Sequence, residues 1–303
     1  MKVHSCSQFT DANKGSDFLG LWNAKVIAKS QLKVRSLVVD SLLGKTQVWQ
    51  VGTHSPTPAT PIVVFPGFRT SALFWILEDM IEPLCGDRQV FLVETNGQPN
   101  LSEGNTPSIK GKGYGEWAVD LLRKLKLEKV IVMGASFGGL VCLKLGIESP
   151  GMVKAAFIMN PGCLAPFSLA PSNLYSNLLP IISPKAANVT KFLNRSVFHA
   201  PTHQLGKTAM ELLVEYEVFV LKNWKDKAQK PYPMKDDELK AVNTKVHLLL
   251  GDKDPLFPHE KSMVRAKLLP KLDHVHVIPG VAHGIELSHA AMGIVAEVLG
   301  IGG

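Results

Sequence analysis

The stretch "VIVMGASFGGLVCLKLG", residues 130–146, places one hydroxyl between two apolar patterns. The run Val130–Met133 is apolar throughout, which is typical of a buried strand. After Ser136 the apolar residues recur at helical spacing instead. Between the two lies a G-x-S-x-G sequence, in which Gly134 and Gly138 flank the serine at two residues' distance. The stretch therefore predicts a sharp strand–turn–helix with Ser136 at its turn.

Glycine is required on both sides of such a turn, because a larger side chain would collide with the neighbouring strand and helix. The turn exposes the Ser136 Oγ and directs the Phe137 N–H and the helix N-terminus at the same point. Two other interpretations exist: a serine that only caps the helix, and a dinucleotide loop resembling G-x-G-x-x-G. The second would need glycine at the serine position, and the next strand ends in Asn160 rather than a carboxylate.

A serine nucleophile needs a base, and the base needs an orienting carboxylate. Downstream, "VHLLLGDKDPLFP" ends an apolar run with Asp252 and Asp254, and "HVHVIPGVAHGIEL" ends another with His283. The carboxyl ends of parallel strands meet at one edge of a sheet. We therefore expect Ser136, one of the two aspartates and His283 to lie together.

The remaining pattern predicts an α/β fold with a mostly parallel, doubly wound sheet. The segments "VRSLVVD" and "TQVWQVG" indicate an antiparallel hairpin. Short apolar runs then alternate with helical patterns; they are Ile62–Phe65, Val90–Val93, Val130–Met133, Ala155–Met159, Val246–Leu250 and His274–Ile278.

The alternation of strand and helix patterns stops between Met159 and Val246, where no apolar run resembles a core strand. A structureless loop of that length is improbable, so a helical insertion over one edge of the sheet is expected. The predicted organisation is an N-terminal extension at 1–33, a core at 34–161 and 244–303, and a helical cap at 162–243.

From residue 34 to its end the chain resembles the α/β-hydrolase superfamily. The elbow "GASFGG", the acid loop "GDKDPLFP" and the histidine loop "PGVAHG" follow in that family's order. The family's acid loop usually reads G-x-x-D, which selects Asp254 and leaves Asp252 as a loop-capping or solvated carboxylate. The resemblance implies Ser136 as nucleophile, His283 as base and Asp254 as its orienting acid.

The resemblance also implies an oxyanion hole formed by the backbone N–H groups of Phe137 and Phe68. Phe68 lies in "VVFPGFRTS", where Pro66 stands in place of the family's usual histidine. Arg69 in this loop could contact a substrate, but we expect an exposed charge without a functional role. The segment "ETNGQPNLSEG" matches the family's D-x-x-G-x-G-x-S only loosely, through Glu94, Gly97 and Ser102, which argues against assigning a narrow subfamily.

Composition excludes several other classes. The net charge of +7 comes from scattered basic residues rather than a stripe with aromatics, so no nucleic-acid partner is expected. Four scattered cysteines indicate free thiols in a reducing compartment. No secretory segment and no membrane-length apolar run is visible, so we expect a soluble, cytoplasmic protein without a membrane span.

The ten histidines include neither H-E-x-x-H nor zinc spacing, and H-x-H at His274 and His276 alone is weak. No metal and no cofactor is expected. The expected reaction is ester hydrolysis through an acyl-enzyme, on a small and apolar acyl or aromatic substrate. The same residues would also suit a thioesterase, lactonase, amidase or C–C hydrolase, or a slow-turnover ligand receptor.

Overall fold

The main sheet lies at the centre of the molecule. The computed structural model describes residues 1–301; residues 302 and 303, the last two of the predicted core segment, lie outside them. Within that range the sheet has eight strands: β1 (Val34–Ser41), β2 (Gly44–Gly52), β3 (Ile62–Phe65), β4 (Gln89–Val93), β5 (Val130–Ala135), β6 (Val153–Met159), β7 (Val246–Gly251) and β8 (Leu272–Ile278). Their order is β8-β7-β6-β5-β3-β4-β2-β1.

The sheet is mostly parallel, as the sequence predicts. Strands β3 to β8 pair in parallel, whereas β2 runs antiparallel to both β1 and β4. The sequence assigned every strand of this sheet and misjudged only the ends by a few residues, but it did not predict the four short strands outside it. The α/β fold class is confirmed.

Helices cover both faces of the sheet. Over residues 1–301 they are α1 (Ala12–Lys29), α2 (Glu82–Cys85), α3 (Gly113–Lys124), α4 (Phe137–Glu148), α5 (Pro171–Ile182), α6 (Ala186–Phe192), α7 (Lys207–Asn223), α8 (Asp236–Lys240), α9 (His259–Ala266) and α10 (His289–Val298). Short 3-10 segments occur at Ala72–Asp79, Pro150–Met152 and Ile285–Leu287, and a π-turn at Leu193–Val197.

Alternate residues of each strand enter two separate cores. Ile62 and Val64 of β3 pack into the cluster that contains α1, α7 and α10. Val63 and Phe65 pack into the other cluster, with α3 and α4. Because both faces are buried, a strand such as β3 is apolar at every position.

The chain between β6 and β7, residues 160–245, contributes no strand to the main sheet in the described part of the protein. It contains α5, α6, the π-turn, α7 and α8 instead. We call this stretch the β6–β7 segment.

The N-terminal residues are tied to the β6–β7 segment. The buried Trp22 of α1 donates its indole N–H to the Leu212 carbonyl of α7 at 2.9 Å. The rings of Phe18 and Phe219 stack with their centroids 3.7 Å apart. Two short antiparallel pairs join Ser5–Cys6 to Asn105–Thr106 and Gln8–Phe9 to Trp224–Lys225.

All four cysteines carry free thiols; Cys6 is exposed and the other three are buried. Among residues 1–301, no helix combines the length and the apolar character that crossing a bilayer requires.

Candidate active site

Ser136 occupies the turn between β5 and α4. Its backbone has φ 51° and ψ −110°, a conformation that L-residues adopt at a cost. A Cβ at Gly138 would lie 1.8 Å from the Phe65 carbonyl oxygen, and one at Gly134 would lie 2.4 Å from the backbone of Gly138. Glycine at both positions therefore lets the strand and the helix approach closely enough to hold the serine in this conformation.

Asp254 and His283 meet across two loops that follow neighbouring strands. The Asp254 Oδ2 lies 2.8 Å from the His283 Nδ1. The other oxygen, Oδ1, accepts hydrogen bonds from the backbone N–H groups of Leu256 at 2.8 Å and Phe257 at 3.2 Å. The Asp254 side chain is fully buried, so this carboxylate is fixed from three directions and orients the imidazole.

Ser136 and His283 line the same cavity. Among the described residues, no hydrogen bond joins the serine hydroxyl to the imidazole. Contacts between a nucleophile and its base are often long in ligand-free sites and tighten when substrate binds. Asp254 contacts the Nδ1 of His283, and its Nε2 has no hydrogen-bond partner within residues 1–301.

Three effects act on the pKa of His283. Burial of the imidazole opposes protonation, but the Asp254 carboxylate and its hydrogen bond outweigh this, and Glu286 adds a smaller attraction. The net result is a pKa raised above the ordinary value of 6.5. The environment therefore favours the imidazolium that a proton transfer from serine would create.

Asp252 has a different role from Asp254. Its Oδ1 accepts a hydrogen bond from the Gly280 N–H at 2.6 Å, and its other oxygen lies 3.1 Å from the Lys253 ammonium. It therefore braces the loop after β8 rather than contacting His283. This matches the loop-capping role that the sequence leaves to it.

Asn160, at the end of β6, clamps the two loops together. Its Oδ1 accepts from the Gly251 N–H at 2.8 Å, and its amide nitrogen donates to the carbonyls of Ala282 at 2.9 Å and His283 at 3.2 Å. The sequence places a polar residue, Asn160, at the end of a buried strand but does not indicate its hydrogen-bond partners.

The loop after β3 lies beside Ser136. A Cβ at Gly67 would be 3.8 Å from the Ser136 Cβ, and the rings of Phe68 and Phe137 contact edge to face at 6.1 Å. Within residues 1–301 no acceptor is found for the N–H of Phe68 or of Phe137. Neither N–H is therefore engaged by another group in the described part of the protein.

Gln98 braces this loop in the absence of the family's usual histidine. Its Oε1 accepts a hydrogen bond from the Arg69 N–H at 2.7 Å, and its side chain is buried. Arg69 has φ 60°, a conformation that needs such support. The sequence identified the departure at "NGQPN" without assigning Gln98 a function.

Glu94 anchors the residues that follow the same loop. Its carboxylate accepts hydrogen bonds from the Trp49 indole at 3.0 Å, the Ser71 hydroxyl at 2.7 Å and the Ala72 N–H at 2.9 Å. Ser102 donates to the Glu94 carbonyl at 2.6 Å. The loosely matched motif is thus a hydrogen-bonded turn that supports the loop.

The cavity above Ser136 has a volume of about 470 Å³. Its walls are mostly apolar and come from both the core and the β6–β7 segment; they include Phe74, Phe167, Leu174, Leu178, Ile181, Phe192, Leu213, Leu256, Phe257 and Leu287. Such a lining accommodates apolar groups.

Four charged residues also line this cavity: Arg69, Glu217, Lys230 and Glu286. Burial raises the pKa of Glu217 to about 7, against the opposing effect of Arg69. Arg69 is half-buried rather than exposed: it lines the cavity, and its guanidinium carbon lies 5.9 Å from the Phe68 ring centre. Arg69 and Glu217 lie far apart in the chain, so no sequence pattern indicates that they share one cavity wall.

A second group of titratable residues lies at the amino end of β7, opposite the edge that carries Asp254. His247, Asp273 and His274 bring three possible metal ligands within 4.8 Å of one another. Asp273 already contacts His274 at 2.8 Å and the Lys245 ammonium at 3.3 Å.

Comparisons with known proteins agree with this architecture. The curated carboxylesterase nap of Bacillus subtilis (strain 168) is 23% identical, over 95% of this chain and 93% of its own. Carboxylesterase YbfK of the same organism is 19% identical, over 94% and 93%. The crystal structure of naproxen esterase from Bacillus subtilis has a TM-score of 0.74 at 22% identity, over 94% of this chain and 96% of that one. The model of the alpha/beta hydrolase family matches residues 62–297, and the chain belongs to that family.

Proposed function

We propose that the protein is a carboxylesterase that cleaves a carboxylic ester through an acyl-enzyme intermediate. The observation that carries the proposal is the 2.8 Å contact between His283 and Asp254 in the cavity that also holds the strained Ser136. The curated relatives named as carboxylesterases support the choice of an ester bond.

In this mechanism the Ser136 Oγ attacks the ester carbonyl while His283 takes its proton. Asp254 holds the imidazole and stabilises its charged form. The N–H groups of Phe68 and Phe137 bind the oxyanion of the tetrahedral intermediate. His283 then protonates the departing alcohol, and a water molecule, activated by the same imidazole, releases the acid.

We further propose residues 162–243 as a helical cap over a core of 34–161 and 244–303, with 1–33 as an N-terminal extension that holds the cap. The apolar cavity lining supports a small substrate with an apolar acyl or aromatic group. A cytoplasmic location remains part of this proposal.

The test is hydrolysis of a chain-length series of p-nitrophenyl esters by the wild type and by Ser136→Ala. We expect turnover by the wild type and a loss on the order of a thousandfold or more in the variant. The preferred chain length would measure the usable depth of the cavity. Equal activity of the two proteins would contradict the role of Ser136.

A panel containing a thioester, a lactone, an amide and a C–C substrate separates the other bond types. Exclusive turnover of one of these would replace the ester in the proposal. Tight ligand binding with turnover far below enzymatic rates would favour a receptor instead.

A further inference from the structure

The surface of helix α5 is unusually apolar for an exposed helix. Four of its large side chains and the leucine that precedes it are open to solvent: Leu169 (74% exposed), Tyr175 (51%), Leu178 (49%), Ile181 (46%) and Ile182 (78%). Burying such side chains stabilises a protein, so several of them are seldom left together in water. A cluster left in water within fourteen residues of chain is therefore typical of an interaction surface. We call these five residues the α5 patch.

The α5 patch is continuous with the rim of the cavity. Leu178 and Ile181 belong to the patch and also line the cavity that holds Ser136. Whatever covers the patch therefore also covers an apolar route toward the serine.

The charges around the patch are all of one sign along the chain. No aspartate or glutamate occurs between Glu148 and Glu211, whereas this stretch contains Lys154, Lys185, Lys191, Arg195 and Lys207. Lys185, directly before α6, Lys191 on α6 and Arg195 in the π-turn are exposed, and both elements pack against α5. Lys191 also contacts the Tyr175 hydroxyl at 3.3 Å.

Acidic residues occur on neighbouring elements: α7, which packs against α6, carries the exposed Glu211 and Glu215, and the exposed Asp226 lies near Lys230. The chain of α5, α6 and the π-turn itself contains only basic charges. Lys230 lines the cavity and adds a further exposed cation. The carboxylates that face the same cavity, Glu217 and Glu286, form part of its wall and are not exposed.

We propose that the α5 patch docks on an anionic lipid surface. Apolar side chains flanked by lysine and arginine fit the boundary between acyl chains and negatively charged headgroups. Docking would place the cavity rim against the lipid phase, so that an apolar ester could enter from it. The entry of an ester from the lipid phase rests on the proposed esterase function, whereas the docking itself does not.

The test measures binding of the Ser136→Ala protein to sedimented vesicles of phosphatidylcholine, with or without an equal part of phosphatidylglycerol. We expect stronger binding to the anionic vesicles. Two double variants test the patch and its charges separately. Each should lower the partition coefficient by about tenfold or more: one combines Leu169→Ser with Ile182→Ser, the other Lys185→Ser with Lys191→Ser. None of these four residues lines the cavity. The matched control, Leu21→Ser, removes a leucine of α1 that is 68% exposed and should change nothing.

Absence of binding to anionic vesicles, equal binding to both kinds, or an equal loss in Leu21→Ser would overturn the proposal. A second arm compares a vesicle-embedded ester with water-soluble p-nitrophenyl acetate in the wild-type background. The two double variants should lose activity only on the embedded ester. If no ester is cleaved but binding follows the expected pattern, the esterase function fails and the docking surface stands.

Discussion

His283 shows how single neighbours set the chemistry of the site. Its pKa is raised because Asp254 and, more weakly, Glu286 attract the imidazolium more than burial disfavours it. Since a base must be neutral to accept a proton, a raised pKa moves the acid limb of activity to higher pH.

We expect the acid limb of kcat/KM to lie above pH 6.5 and to move to lower pH in Glu286→Gln, because one of the attracting charges is removed. The measurement is a pH profile on a p-nitrophenyl ester. Asp252→Asn is the control: it alters a carboxylate of the acid loop that faces Gly280 and Lys253, so its acid limb should stay in place. An unchanged limb in Glu286→Gln would contradict this account of the pKa.

Gln98 illustrates a residue that acts through another. It holds the Arg69 N–H, and through it the loop that carries the proposed Phe68 donor. Removing an oxyanion donor outright costs about 10²–10³ in kcat, so a misplaced donor should cost less.

We expect Gln98→Leu to lower kcat by about tenfold with little change in KM, because the affected contact forms in the transition state. Gln98→Glu keeps an acceptor oxygen and should restore part of the rate. Gln89→Leu, a half-buried glutamine at the start of β4, is the matched control. A purely structural role would instead lower the melting temperature and leave kcat per folded molecule unchanged.

At the scale of elements, helix α1 joins the N-terminus to helix α7. Trp22 is fully buried between the 3-10 segment Ala72–Asp79 and α7, where it packs against the rings of Phe74 and Tyr216. Because α7 also contributes Leu213 and Glu217 to the cavity wall, α1 supports the wall from behind.

Trp22→Ala should lower the free energy of unfolding by about 3–5 kcal/mol, since a large buried ring is lost and a cavity remains. The measurement is denaturant unfolding followed by circular dichroism. The adjacent Leu21→Ser, on the exposed side of the helix, should change stability by no more than about 0.5 kcal/mol. Equal stability of the two variants would mean that α1 contributes little to the folded state.

At the scale of the whole molecule, the parallel sheet brings distant residues to one edge. Strands β5, β6 and β7 end beside one another, which gathers Ser136, Asn160 and the acid loop; the loop after the adjacent β8 adds His283. Residues of the β6–β7 segment complete the cavity at this edge. The Ser136 turn, the loops held by Asn160 and this segment therefore meet around one cavity.

The sequence by itself determined the strand positions, the turn at Ser136 and the order of the candidate residues. These follow from local properties: apolar runs, the need for glycine, and polar residues at strand ends. The choice of Asp254 over Asp252 also came from the sequence, but only through the family resemblance.

Only the tertiary structure decided which side chains meet. Gln98 and Arg69 are separated by 29 positions, and Asn160 is more than a hundred positions from His283, so no periodicity or motif could pair them. The same holds for Arg69 and Glu217 in the cavity wall. A hydrogen bond or a shared cavity depends on the path of the backbone in space, and that path is fixed by packing across the whole sheet.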